Sequence, residues 1–160
     1  MPGTTIDRTS IMSIHEPADP IWTSRMLSIF RIVAGLTFFL AGSIKVLGYP
    51  ESPVPGMPPI EPWSQMWIGG WMEVIGGTAI VLGLYTRPVA FVLAGEMAVA
   101  YFQFHQPQAF WPTHNGGVGA MLYCFFFLYL AFAGAGVWSL DARIARARRE
   151  RSPALRTAGA

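Results

Sequence analysis

The chain alternates between long apolar stretches and short polar segments. Its apolar stretches that are long enough to cross a bilayer are 26–48, 66–85, 88–104 and 116–138. A spanning helix needs about 20 residues for a hydrocarbon core of about 30 Å. The third stretch is short, but it extends through polar Gln103 and His105. The pattern therefore predicts an all-α membrane protein, a four-transmembrane-helix bundle over 26–138, with polar tails at 1–25 and 139–160.

Composition supports a membrane protein and excludes some kinds of site. Only 12% of the residues are charged, whereas a soluble domain has about 25%. The first 25 residues lack the charged start and apolar core of a cleavable signal, so 26–48 is predicted to be a retained helix. A single cysteine, Cys124, allows no intrachain disulfide, Cys-x-x-Cys relay or cysteine-based zinc site. Any redox role is therefore expected to depend on a bound cofactor or a partner.

Basic residues predict the orientation. Segments 49–65 and 105–115 contain no lysine or arginine, whereas Arg87 lies between the second and third stretches. The C-terminal tail contains a run of arginines: Arg143, Arg146, Arg148, Arg149, Arg151 and Arg156. Because cytoplasmic loops carry an excess of basic residues, both termini are predicted to be cytoplasmic. The tail is predicted to form a short basic helix, capped by Ser139 or Asp141, that rests on anionic lipid headgroups and binds no nucleic acid.

Four charged residues lie within the predicted spans: Arg31, Lys45, Glu73 and Glu96. Ionisable groups at membrane depth are costly, and they usually face a bundle interior or a functional cavity. On the functional interpretation, Lys45 pairs with Glu73 near the outer side, and Glu96 completes a catalytic cluster. Such a cluster could bind a quinone head group, relay a proton or hold a small anion. On the structural interpretation, the buried pair serves to hold the helix register.

The first span also predicts which of its faces is buried. One helical stripe contains Arg31, Gly35, Phe38, Gly42 and Lys45. Small residues allow close helix approach, so this stripe is predicted to pack inward. Arg31 is a further candidate for ligand binding, although its position near the inner end favours snorkelling to the inner surface.

The loops predicted to face outward carry further candidate groups. Segment 50–62 is rich in proline, which favours a stiff, extended chain, and it is predicted to cover the outer mouth. His105 and His114 bracket the second loop, and Asn115 follows as a candidate helix cap. These three side chains are candidate ligand-binding groups. No metal site is predicted, because a third or opposing ligand is not evident.

Tryptophans recur every four residues at the outer end of the second span, as Trp63, Trp67 and Trp71. The spacing places them on one stripe that faces away from Glu73. An interfacial aromatic belt is the favoured interpretation, since tryptophan is enriched at membrane interfaces. A docking surface for another membrane subunit is the alternative.

Several motifs follow one another in order over residues 25–141. They are Arg31-x3-Gly35, Gly42-x2-Lys45-x2-Gly48, Glu73-x2-Gly76-Gly77, Gly83-Leu84-x-Thr86-Arg87, Met97-Ala98 with Ala100 and His105, Asn115-Gly116-Gly117, Leu122-Tyr123-Cys124-Phe125 and Gly136-x-Trp138-Ser139-Leu140-Asp141. Together they resemble the DoxX/DoxD-like membrane proteins of bacteria and archaea. That family commonly reads Asn-Gly-Gly-Glu in the fourth span, whereas Val118 stands here in place of the acid.

The resemblance implies a multi-pass protein of the bacterial cytoplasmic membrane. Some relatives look like subunits of thiosulfate:quinone oxidoreductase, and others are tied to membrane-associated oxidative-stress complexes. The first hypothesis is an integral membrane subunit associated with a quinone-linked oxidoreductase system, with quinone as its ligand. Its expected partners are membrane lipid and other membrane or peripheral subunits, or further copies of the chain. The alternative is a non-catalytic accessory or scaffold subunit of a larger complex; a small-solute transporter is less favoured, because the spans show no clear repeat.

Overall fold

The computed structural model describes residues 19–52 and 60–157, with the backbone alone over 152–157. The described residues form helices and no strand, which confirms the predicted all-α class. The helices are α1 (Pro20–Leu47), α2 (Gln65–Leu82), α3 (Thr86–Ala100), α4 (Val118–Ala133) and α5 (Leu140–Thr157). A π-helical segment, Tyr101–His105, continues α3. Most of the predicted polar tail 1–25 and the centre of the proline-rich cover lie outside the described residues.

Helix α1 begins earlier than the predicted start at residue 26. Asp19 caps it, since the side chain accepts a hydrogen bond of 2.9 Å from the Ile21 N–H. Proline at the first helical position is favourable, because that N–H would have no partner within the helix. The helix ends before Gly48, whose φ of 66° is left-handed and suits glycine.

The fourth helix ends earlier than predicted, at Ala133 rather than near residue 138. The chain leaves the helix through Gly134, with φ 89°, and Gly136, with φ 74°. It then passes close to α1, because a Cβ atom on Gly136 would lie 2.4 Å from Ser28 Oγ. The Trp138 N–H donates to that same oxygen at 3.1 Å. Residues 134–139 are therefore a non-helical segment (the C-terminal strap) that lies against α1.

Glycines bring α1 and α2 into close contact. A Cβ atom on Gly42 would lie 2.5 Å from the carbonyl oxygen of Gly70, and one on Gly77 would lie 2.9 Å from that of Gly35. Each pair lies two helical turns from the other, so the helices run antiparallel along a small-residue seam. The predicted inward stripe of α1 is confirmed, since Arg31, Gly35, Phe38 and Gly42 are buried.

Four helices contribute to one core. Phe38 of α1, Ile80 of α2, Leu93 of α3 and Phe127 of α4 are buried in it. The rings of Phe38 and Phe127 meet edge to face, with centroids 4.8 Å apart. Among the described helices, α1 is long and apolar enough to cross a membrane by length and composition, and α4 is apolar but shorter.

Candidate functional site

An ion pair joins α1 to α2 at the end of the bundle that holds Gly42. Lys45 Nζ lies 2.5 Å from Glu73 Oε1, and Glu73 is only 3% exposed, against 30% for the lysine side chain. The glycine seam makes this contact possible, because it brings the two helices together one turn away. The other carboxylate oxygen of Glu73, Oε2, is buried and has no hydrogen-bond partner among the described residues. The expected contact between Lys45 and Glu73 is thus present, and it leaves one acceptor unused.

Glu96 lies beside this pair on α3. Its Oε2 atom is also buried without a hydrogen-bond partner in the described part of the chain. Gly69 on α2 provides the room for it, since a Cβ atom there would lie 3.2 Å from Glu96 Oε1. A buried polar atom without a partner is rare and costs about 1–3 kcal/mol. Glu73 and Glu96 thus each present a buried carboxylate oxygen that can accept a further hydrogen bond.

Both glutamates line one open cavity of about 530 Å³, which we call the polar cavity. It lies between α2, α3 and the end of α1. Its polar residues are Lys45, Gln65, Glu73, Glu96 and His105; the rest of its lining is Met66, Ile68, Gly69, Met72, Met97, Val99, Ala100 and Phe104. Pockets for small organic ligands have this makeup, a mostly apolar wall with a few polar groups that set orientation.

His105 is held in a defined orientation at the edge of the cavity. Its Nδ1 lies 3.0 Å from the carbonyl oxygen of Asn115. A carbonyl oxygen only accepts, so Nδ1 carries the hydrogen and Nε2 of the neutral ring is an acceptor. His105 ends the π-helical segment Tyr101–His105, and such segments occur frequently at functional sites.

Asn115 and His114 lie outside the cavity lining. Asn115 is buried and ties the second loop together, since Nδ2 donates to Ala109 O and Oδ1 accepts from the Gly117 N–H, both at 2.8 Å. It therefore supports His105 and is not a lining group. His114 is exposed, with Nδ1 3.1 Å from the Thr113 hydroxyl. Within the described part of the chain, no three His, Cys, Asp or Glu side chains are arranged to hold a metal ion.

Sequence comparisons identify the family. A profile described as DoxX matches residues 26–106, a segment that contains Lys45, Glu73, Glu96 and His105. The chain belongs to the DoxX family. An uncharacterized protein of Haemophilus influenzae is 40% identical over 118 residues, which cover 72% of this chain and 87% of the relative. The uncharacterized membrane protein Rv3486 of Mycobacterium tuberculosis is 25% identical over 158 residues, which cover 84% of this chain and 95% of the relative. No solved structure matches the chain.

The resemblance seen in the motifs is thus confirmed, and the chain is a DoxX family membrane protein. The matched segment ends near the second loop, so Asn115 and the C-terminal strap lie beyond it. The names of the two relatives assign them no activity.

Arg31 of this DoxX protein does not snorkel, which corrects the expectation from its position. The residue is 0% exposed. Nε donates to Ala135 O at 2.8 Å and Nη2 to Trp138 O at 2.6 Å. Nη1 donates to the carbonyl oxygens of Ile80 and Val81, which lie in the last turn of α2. The guanidinium is therefore committed to backbone carbonyls and is removed from the candidate ligand-binding groups.

Asp141 has a different role from the cap expected for it. Ser139 caps α5, since its Oγ accepts from the Ala142 N–H at 3.1 Å. The carboxylate of Asp141 instead accepts from the N–H groups of Tyr85 and Thr86, each at 2.9 Å. A negative charge at a helix N-terminus is favourable, so Asp141 caps α3 from the start of α5. In the DoxX motifs quoted above, Thr86 and Asp141 therefore belong to one structural unit.

The tryptophans form a ladder of rings, but they are not all on one helix. Trp67 and Trp71 lie on α2, whereas Trp63 precedes it with a left-handed φ of 67°. Ring centroids are 5.0 Å apart for Trp63 and Trp67, and 6.0 Å for Trp67 and Trp71. Trp63 is exposed, and no tryptophan of the ladder lines the polar cavity. Their roles as an interfacial belt or a docking surface stay predictions.

Sequence analysis missed Gln65 and Gly69 as parts of the site. Gln65 Nε2 donates to Gln103 Oε1 at 2.5 Å, which joins the start of α2 to the π-helical segment. Gly69 makes room for Glu96. Its position one helical turn before Glu73, and thus on the same face, was the available signal.

Replacing Lys45 with methionine is expected to lower the free energy of unfolding by about 1–3 kcal/mol, because Glu73 stays buried without its cation. The double variant Lys45→Met/Glu73→Leu should recover part of this loss, since it removes both charges. Unfolding by denaturing detergent in mixed micelles measures these differences, with Glu61→Leu, an exposed acid outside the cavity, as control. A double variant as unstable as the sum of the single variants would contradict the coupling.

Proposed function

We propose that this DoxX protein is a four-span subunit of the cytoplasmic membrane that binds the head group of a quinone for a partner oxidoreductase. The observation that carries the proposal is the pair of buried carboxylate oxygens, on Glu73 and Glu96, that have no hydrogen-bond partner in the described part of the chain and belong to residues lining a mostly apolar cavity. A quinol offers two hydroxyl groups on a flat apolar ring. Such a ligand would donate hydrogen bonds to the two carboxylate oxygens, and its ring would pack against the apolar lining of the cavity.

The outer surfaces of the helices support four spans. Helices α1 to α4 all expose large apolar side chains, among them Phe30, Val33, Ile75, Phe91, Val92, Leu122, Phe125 and Phe132. Exposed apolar side chains on every helix are unfavourable in water and favourable against lipid. With its π-helical extension, α3 covers 86–105, which suits the length of a span.

The contacts of Asp141 support the proposed orientation. They put the start of basic helix α5 beside the start of α3, which holds Arg87, so these arginines gather at one end of the bundle. The positive-inside rule makes that end cytoplasmic. Lys45 and the polar cavity are then on the outer half, and both termini of the described bundle are on the inner side.

The groups of the cavity can bind both redox forms of the head group. Lys45 carries three N–H donors, one of which contacts Glu73, so donors are available for a quinone carbonyl. The Nε2 atom of His105 and the free oxygens of Glu73 and Glu96 can accept from quinol hydroxyls. Because carboxylic acids and imidazole exchange protons readily, these residues can also move protons to and from the ring oxygens.

The electron balance requires a partner. Reduction of a quinone to its quinol takes two electrons and two protons. We assign both protons to Glu96, which regains a proton from water between the two transfers, while the electrons come from the donor that the partner oxidoreductase oxidises. The role of this chain is then to hold the quinone and protonate it.

A binding titration tests the proposal. The purified protein in nanodiscs, titrated under reducing conditions with a benzoquinol and a naphthoquinol that lack isoprenoid tails, is expected to bind at least one of them. Glu96→Leu should weaken binding about tenfold, because it removes one charge-capable hydrogen-bond acceptor worth about 1.5 kcal/mol. Glu61→Leu, an exposed acid outside the cavity, should leave affinity unchanged. Absence of binding to the wild-type protein, or equal affinity in Glu96→Leu, would refute the proposal.

A non-catalytic accessory role is the second candidate, and the tryptophan ladder favours it. Trp63 exposes most of its ring, and Trp71 Nε1 is buried without a hydrogen-bond partner among the described residues. On this alternative the ladder docks another membrane subunit. Loss of co-purifying subunits in Trp71→Ala, with unchanged co-purification in Glu73→Gln, would favour it.

A further inference from the structure

A second cavity runs along the same two helices as the polar cavity. It has a volume of about 360 Å³ and lies between α2 and α3; we call it the apolar groove. Met72 lines both cavities, so the groove continues the polar cavity along the bundle. Its other end lies at Pro88, near the turn between α2 and α3.

The packing of α2 on α3 explains the shape of the groove. A Cβ atom on Gly76 would lie 2.7 Å from Leu93 Cδ2, so the helices approach closely at this point. Gly76 and Leu93 are buried and form the floor. Ile75 and Val92 are exposed and form its two walls. The groove therefore opens sideways on the surface of the bundle, where the proposed topology puts the acyl chains of the bilayer.

The lining of the groove selects a hydrocarbon. It is lined by aliphatic residues, glycine, methionine and proline, and by no charged or hydrogen-bonding side chain. The polar cavity at its end has the opposite character, with Glu73 and Glu96 in its wall. One ligand matches both parts if it has a polar head and a long apolar tail.

We propose that the apolar groove binds the isoprenoid tail of the quinone whose head group lies in the polar cavity. This inference rests on the proposed function and deepens it, because it selects long-tailed quinones over soluble quinone analogues. From Leu93 to Pro88 the groove follows α3 for about 8 Å at 1.5 Å per residue. The quinone thus lies along the bundle with its tail toward the turn at Gly83, and it enters sideways from the bilayer.

The apolar groove is expected to contribute only modestly to the affinity for the quinone. Lipid chains are as apolar as the groove, so moving the tail from one to the other gains little from the hydrophobic effect. The gain comes from packing contacts with the floor and walls. We therefore expect the groove to change the affinity by about tenfold, which corresponds to about 1.4 kcal/mol.

A matched pair of tryptophan variants tests the groove. Val92→Trp fills it from one wall, whereas Val33→Trp adds the same ring on α1, away from the groove; the two valines are 53% and 55% exposed. Val92→Trp is expected to weaken binding of a long-tailed quinone about tenfold and to change binding of the tail-less analogue less than twofold. Val33→Trp should change neither.

A direct readout on the wild-type protein complements the variants. A quinone with a photoreactive group in its tail, irradiated in nanodiscs, is expected to label segments 72–76 and 88–93. Excess unlabelled long-tailed quinone should abolish this labelling. Labelling that survives this competition would show a phospholipid chain or general lipid exposure in the groove, and it would overturn the inference.

The outcomes separate the two proposals. If the tail-less analogue binds and Val92→Trp equals Val33→Trp for the long-tailed quinone, the groove inference is wrong and the head-group site stands. If neither quinone binds the wild-type protein, the proposed function is wrong and the groove inference falls with it.

Discussion

Replacing Arg31 with methionine is expected to lower the free energy of unfolding by about 3–5 kcal/mol. The guanidinium donates to the carbonyl oxygens of Ile80, Val81, Ala135 and Trp138. Methionine has a similar volume but no donor, so all four carbonyl oxygens would lose the guanidinium, and Ile80 O would keep only the Gly83 N–H. The change also removes the positive charge at the C-terminal end of α2, where the helix dipole favours it. Unfolding by denaturing detergent in mixed micelles measures the loss.

Two variants control this prediction. Arg25→Met changes the same residue type on the same helix, where the guanidinium lies over the Trp22 ring at 5.0 Å, and it should cost about 1 kcal/mol or less. Arg31→Lys should recover little, because an ammonium on a flexible stem cannot reproduce the planar fork of donors. If Arg31→Lys were as stable as the wild type, the prediction that the planar guanidinium is required for stability would be wrong.

Replacing Gly42 with alanine is expected to lower the free energy of unfolding by about 2–3 kcal/mol. The new Cβ atom would lie 2.5 Å from Gly70 O and 2.7 Å from Glu73 Cβ. The backbone of Gly70 and the side chain of Glu73, which the ion pair holds, cannot shift without a large cost in free energy. The new Cβ atom therefore forces α1 and α2 apart. Lys45 is then drawn away from Glu73, and we expect weaker binding of the quinone head group together with the loss of stability.

Gly95→Ala is the matched control for this helix seam. A Cβ atom on Gly95 would meet no atom within 4 Å, and alanine is about 1 kcal/mol better than glycine within a helix. The variant should therefore be as stable as the wild type or slightly more stable. Equal effects of Gly42→Ala and Gly95→Ala in the same unfolding titration would contradict the close approach of α1 and α2.

The two predictions concern opposite ends of one helix pair. Arg31 ties α1 to the end of α2 and to the C-terminal strap, while Gly42 sets the distance between the helices beside Lys45 and Glu73. Because both residues hold the helices that surround the polar cavity, a substitution at either position is expected to change the geometry of the cavity. Binding measurements are therefore interpretable only for variants whose unfolding has also been measured.

Much of the site could be predicted from residue types and spacing. Lys45, Glu73 and Glu96 stand out in the sequence because charge is rare and costly in apolar segments. Their contact could be predicted because the small residues of α1 fall on one helical stripe with Lys45. Arg31 was misassigned for a physical reason, since its position near the end of a predicted span suits snorkelling, and the carbonyls that bind it come from distant parts of the chain.

The all-helical class, the buried stripe of α1 and the candidate charged groups could be predicted from the sequence alone. These properties depend on local periodicity and composition, which one chain segment contains in full. Three other relations became visible only in the fold: Asp141 caps α3, Asn115 holds His105, and Met72 lines both the polar cavity and the apolar groove. Each of these relations joins residues that are far apart in sequence or on different helices. They depend on the rotation of each helix about its axis and on the residue at which each helix ends. Packing and backbone hydrogen bonds in the folded protein determine both.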